Sequence, residues 1–122
     1  MKRLQYEEIK YLTTEEVEAA LERNNKGDLL YVPISVSLYS TDLDWAQAIC
    51  VKLSSHEHFN VRGNAVLGFS HLSRRFGKLD RNLVKPVVEA AMHDPHEYVR
   101  MQANDAADDL RHFLKWRFSK RS

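Results

Sequence analysis

The sequence predicts an all-α fold: a short right-handed stack of antiparallel helical hairpins, about six helices in all. The first observation behind this is a self-match. Residues 56–72, HEHFNVRGNAVLGFSHL, and residues 94–110, DPHEYVRMQANDAADDL, align at a shift of 38 positions. That shift sets Val61 on Val99, Arg62 on Arg100, Ala65 on Ala103 and Leu72 on Leu110. Similarity at such a period marks units that bury their apolar faces only against their neighbours. The second observation is that each copy follows an apolar stretch of helical spacing and a short polar turn, with no sustained apolar–polar alternation along the chain.

Each element has a local reason. Thr14 is placed to cap a helix running to about Arg23, with Val17, Ala20 and Leu21 on one face. Glu15 and Glu16 lie in its first turn, where carboxylates meet the positive end of the helix dipole. Asn24-Asn25-Lys26-Gly27 should end it. The segment Leu29–Tyr39 is ambiguous: its Val, Ile and Tyr favour a strand and Pro33 weakens a long helix. It ends in LYSTD much as the later helix ends in MHDP, so the repeat logic favours a short helix after Asp28. A helix over about 43–54 follows, capped by Asp42, with Trp45, Ala48, Ile49 and Leu53 at helical spacing. The next covers about 58–75, with Val61, Ala65, Leu72 and Phe76 inward and Gly68 allowing a close approach. Asp80 caps a helix over about 80–92, with Leu83, Val84, Val87, Val88 and Ala91 inward and a kink expected at Pro86. The last runs over about 96–117, with Asp94 as cap and Pro95 in the first turn. Residues 1–118 are expected to form one domain, and 119–122 a frayed basic tail.

Composition bounds the function. A chain of 122 residues supports one modest core. No run of about 18 apolar residues is present, so no membrane span is expected. The start, MKRLQYEEIKYL, lacks the apolar stretch of a signal peptide, and Cys50 is the only cysteine, so no internal disulfide can form. A cytoplasmic protein is expected. Net charge is +1, but residues 1–61 carry −4 and residues 62–122 carry +5. That asymmetry predicts a dipolar surface, well short of a nucleic-acid-binding arm.

The stretch VVEAAMHDPHEYVRMQANDAADDL resembles a HEAT repeat: an apolar helix, an Asp-Pro turn, then Val-Arg leading into an Ala-rich helix. ICVKLSSHEHFNVRGNAVLGFSHL is a second copy, with Ser-His in place of Asp-Pro. The resemblance implies that Asp94, Arg62 and Arg100 are structural ladder residues; phosphate binding is the alternative for the two arginines. It also implies a surface for holding another macromolecule. At this size the chain resembles the small bacterial HEAT-type immunity proteins of toxin–immunity systems, which hold a cognate toxin, often a nuclease, and occlude its active site.

Several constellations could carry chemistry. His56-Glu57 and His96-Glu97 resemble the His-Glu pairs that bind di-iron in deoxyhypusine hydroxylase, another HEAT-like family. There the pair follows Val-Arg directly; here Gly63-Asn64 and Met101-Gln102 fill those places. The histidines are therefore read as partners of helix-end groups, and no metal or cofactor is expected. His56-x-His58 and His93-x-x-His96 fall short of a four-ligand zinc site. Cys50 lies on the stripe of Ile49 and Leu53 and reads as an inert buried thiol. The basic set Arg74, Arg75, Lys78, Arg81 and Lys85 has only Phe76 for base stacking and reads as a solvated turn. The acids are more suggestive. Asp42 and Asp44 start one helix, and Glu97, Asp105, Asp108 and Asp109 lie along another, with Tyr39, Trp45 and Phe59 near helix starts.

Acids with aromatic anchors suit a basic protein partner. The predicted binding residues are Asp42, Asp44, Glu97, Asp105, Asp108, Asp109, Tyr39 and Phe59. For Trp45 a place in the core is the competing reading. The expected function is non-catalytic: an immunity protein that binds and neutralises a basic toxin domain, with neither a small-molecule substrate nor a membrane partner. The alternatives are a HEAT-like nucleic-acid-binding protein, to which this chain is shorter and less basic, and a scaffold or accessory subunit of a larger complex.

Overall fold

The computed structural model describes residues 9–118, and all regular structure within them is helical. The expected tail at 119–122 lies outside the described residues. The order is α1 (Thr14–Arg23), α2 (Lys26–Leu29), α3 (Val32–Tyr39), α4 (Leu43–Leu53), α5 (Phe59–Phe76), α6 (Arg81–Ala91) and α7 (Glu97–Leu114). The all-α expectation holds; the helix expected after Asp28 is present, preceded by the single turn of α2.

Local chemistry explains the boundaries. Thr13, not Thr14, caps α1. Its hydroxyl accepts from the Glu16 N–H at 3.1 Å while the Glu16 carboxylate accepts from the Thr13 N–H at 2.9 Å. This reciprocal box needs Glu at the third helical position, which selects the earlier threonine. Asn24 ends α1 in the left-handed conformation, φ 53°. Asn25 then starts a new helix by accepting from the Asp28 N–H at 2.8 Å, so α2 begins at Lys26, before Asp28. The β-branched residues of α3 are helical because Val32, Ile34 and Val36 are all buried there. Pro33 sits in the first turn, where a missing N–H costs nothing.

Asp42 and Asp80 cap α4 and α6 as expected, accepting from Trp45 N–H at 3.0 Å and Leu83 N–H at 3.2 Å. Asp94 does not cap α7; His96 does, because the Asp94 carboxylate is drawn to Arg62 across the hairpins. Pro86 lies inside α6, which runs on through it. Leu83 is exposed rather than inward, since Val84, Val88 and Ala91 form the buried stripe of α6. Gly77, φ 67°, ends α5, a left-handed position that favours glycine. The last helix stops at Leu114, with Lys115 left-handed at φ 60°.

α4 pairs with α5 and α6 with α7 as hairpins, and α3, α5 and α7 pack side by side in one layer. α4 and α6 form the opposite layer, with α1 beside α4 across a shallow depression that includes Lys52. The core runs through both layers: Val17, Val36, Ile49, Val61, Phe69, Leu72, Val88, Val99 and Leu110 are all in it. The repeat-matched pairs Val61/Val99, Ala65/Ala103 and Leu72/Leu110 are each essentially inaccessible. Truncating a leucine at such a site costs about 2–5 kcal/mol. No helix among the described residues is long and apolar enough to cross a membrane.

Candidate partner-binding surface

The turns between paired helices line one edge of the molecule, and the repeat gives that edge its order. Arg62 holds two features at once. Its Nη1 donates to the carbonyls of His56 and Glu57 at 3.2 and 2.9 Å, which fixes the guanidinium against its own turn. Its Nε and Nη2 donate to the two Asp94 oxygens at 2.8 and 2.9 Å, which ties α5 to the following turn. Burial alone would raise the Asp94 carboxyl, but Arg62 and the His96 N–H together hold it below the ordinary carboxylate value.

The imidazoles continue the pattern. His58 and His96 accept from the N–H groups of Asn60 and Tyr98 through Nδ1, at 3.1 and 3.0 Å. They occupy matched positions of the two copies. The Phe59 ring stacks on His96 with centroids 3.6 Å apart and on His58 at 4.8 Å. A cap that accepts through Nδ1 requires the uncharged imidazole. For His58, desolvation followed by the charges of Lys26 and Arg62 and the neighbouring imidazoles pulls the pKa below its usual value. His56 also accepts locally, from the His58 N–H at 3.0 Å, and its Nε2 meets Asn24 at 3.2 Å. The histidines thus serve helix ends, as the sequence suggested. Among the described residues, no group of three or more His, Cys, Asp or Glu is arranged to hold a metal ion.

A second cross-link runs beneath this edge. The Tyr98 hydroxyl meets Asn64 Oδ1 at 2.5 Å, and Asn64 Nδ2 donates to the Leu30 carbonyl at 2.7 Å. The Tyr98 ring lies over Gly63 and leaves no room there for a Cβ. Gly63 and Asn64 were read in sequence only as failing to match a metal pattern. Their role as the seat of a tyrosine 34 residues away depends on packing between hairpins.

The eight predicted binding residues fall in separate places. Asp105, Asp108 and Asp109 line one groove between α5 and α7, together with Leu67, Ser70, His71 and Arg74. Asp109 pairs with Arg74 and Asp108 with Arg111, each at 2.8 Å, and Asp105 is exposed without an ion pair among the described residues. Tyr39 and Asp42 line a different depression with Tyr11 and Trp45. There the Tyr39 hydroxyl donates to the Ile9 carbonyl at 3.1 Å, and Asp42 is engaged as a cap. Asp44 is exposed in the first turn of α4. Glu97 is exposed at the start of α7, and Phe59 lies in the histidine stack; both belong to the turn edge, at the opposite end of the helices from Asp42. Trp45 packs partly buried against the core.

Two arginines of the basic set and the cysteine are engaged in the fold, while Lys78 and Arg81 are exposed. Arg74 is spent on Asp109, and Arg75 donates to the Ser37 carbonyl at 2.8 Å while lying over the Phe76 ring. Cys50 is fully buried, and burial pushes its thiol up to about 12.

The hairpins thus carry a ladder along one edge and an acid-lined groove on one face. No protein-family model matches the sequence, and no curated protein does. The chain is similar to a solved chain from the crystal structure of a CDI complex from Cupriavidus taiwanensis LMG 19424. The match has a TM-score of 0.77 and 26% identity, and it covers 91% of this chain and 98% of that one.

Proposed function

We propose that this chain is a bacterial immunity protein: a non-catalytic, HEAT-like protein-binding module that neutralises a cognate toxin in the cytoplasm by occluding its active site. The observation that carries this reading is the end-to-end likeness to a chain of a CDI complex, CDI standing for contact-dependent inhibition. The likeness extends over nearly the whole of both chains, so it concerns the complete stack rather than one shared hairpin. The polar residues support it as well. The histidines and arginines described above act as caps and cross-hairpin ties, which leaves faces and edges for binding.

The partner suited to the α5–α7 groove is basic. Asp105, Asp108 and Asp109 outnumber Arg74 and Arg111, so the groove keeps a net negative charge with His71 neutral. A nuclease toxin must carry a basic substrate groove, and carboxylates can stand in for phosphates there. The test is to express candidate toxin domains, first the product of the adjoining reading frame, with and without this chain, and to score those that kill on their own. Growth restored by the chain supports the proposal; unrelieved killing with both proteins soluble refutes it.

A further inference from the structure

Among the described residues, the Arg100 rung of the ladder along the turn edge lacks a carboxylate. Arg100 stands 38 positions after Arg62 and takes up the same posture: its Nη1 donates to the carbonyls of Asp94 and Pro95 at 2.8 and 3.0 Å. In Arg62 the other edge of the guanidinium, Nε and Nη2, grips the carboxylate of the next turn. In Arg100 that edge has no acceptor among the described residues, although the fork is already oriented by its two carbonyls. The neighbouring positions agree. Gly63 and Asn64 receive Tyr98 from the next helix, while among the described residues no further helix packs on their counterparts Met101 and Gln102, and Gln102 meets Tyr98 of its own helix. Met101 is 54% exposed.

We propose that Arg100, Met101 and Gln102 form a docking surface for a partner protein that presents an Asp or Glu side chain. The carboxylate sits on Arg100 Nε and Nη2 as Asp94 sits on Arg62, and an apolar partner side chain covers Met101. This rests on the reading that the chain binds a toxin, and it names one contact of that complex. The occupant follows from charge and geometry: a guanidinium fork matches a carboxylate with two parallel bonds, and the chain itself contains that pairing one repeat earlier. Glu97, exposed one turn before Arg100 and not paired with it, makes the surroundings mixed in charge. Only a partner carboxylate aligned with the fork therefore gains from the site. Together with the acids of the α5–α7 groove, a cationic rung at the end of the stack would fix the partner's register.

The experiment measures affinity for the toxin domain that passes the growth test in the wild type, Arg100→Gln, Met101→Glu and the control Arg81→Gln, an exposed arginine at the start of α6. Met101→Glu puts a carboxylate where the apolar partner side chain is to sit, at an exposed position, so it tests the site without removing the two bonds that hold the turn. The expected result is a loss of about tenfold or more in Arg100→Gln and Met101→Glu, mainly in off-rate, and little change in Arg81→Gln. Wild-type binding with Met101→Glu unchanged overturns this proposal and leaves the immunity reading standing. No binding by the wild type overturns both.

Discussion

Arg62 and Asp94 close the space between two hairpins with a two-pronged ion pair at 2.8 and 2.9 Å, with side chains 16% and 12% exposed. The pair is too shielded to be an ordinary surface bridge, and each member has a second duty. Arg62 holds its own turn, and Asp94 receives the His96 N–H.

Removing one member should therefore cost more than a surface pair. Asp94→Asn leaves the guanidinium without its anion, and a loss of about 1.5–3 kcal/mol in chemical denaturation is expected. Asp108→Asn, which breaks the exposed pair with Arg111, should cost under about 1 kcal/mol. Equal losses in the two variants would contradict the ladder role.

Acid should weaken the fold in two stages. His58 has a folded pKa below its unfolded value, so its contribution is present above about pH 6.5 and fades as the pH falls through the folded value. Asp94 is likewise lowered, so its contribution is present above about pH 3.9 and disappears below that. Thermal unfolding followed from pH 8 to pH 3 should show a first decline that His58→Asn removes, since Asn caps without titrating. An unchanged profile in that variant would refute the assignment.

Much of this was legible in the sequence, and the rest was not, for physical reasons. The pairs Val61/Val99 and Leu72/Leu110 announced the stacked hairpins because core positions repeat whenever the packing repeats. Asp42 and Asp80 were readable as caps because capping is local, a side chain meeting an N–H three residues on. Asp94 looked the same locally but was claimed by Arg62, 32 residues earlier, which a local rule cannot see. His96 was read as a partner of helix-end groups, but neither it nor His58 was read as the N-cap of its helix, because histidine is not a usual capping residue. Comparing the two copies position by position would have placed one on the other. The acids of the predicted site are separated because α4 and α7 carry them at different ends and faces, a fact of packing rather than of spacing.

Gly68 and Cys50 form a size-matched contact between α5 and α4. A Cβ on Gly68 would stand 2.6 Å from Cys50 Sγ, so Gly68→Ala should destabilise by about 1–3 kcal/mol. Cys50→Ala in the same background should recover part of that loss. A double-mutant cycle in urea checks it, and additive losses would mean that the two residues do not share the space.

Nucleic acid should bind weakly. With Arg74 and Arg75 held by Asp109 and Ser37, affinity for DNA or RNA at about 0.15 M salt should be weaker than about 10 μM. Tighter binding, lost when both arginines become glutamine, would favour a nucleic-acid-binding protein instead.

The central claim is that this chain captures and silences a toxin, and calorimetric titration against the toxin domain that passes the growth test tests it most directly, with toxin activity assayed on the same mixtures. The account predicts a one-to-one complex with Kd below about 0.1 μM, activity falling to zero at equivalence, and weaker, less salt-sensitive binding when Asp105, Asp108 and Asp109 are reversed to lysine. No heat of binding at about 10 μM, or a stoichiometric complex in which the toxin stays fully active, would contradict it.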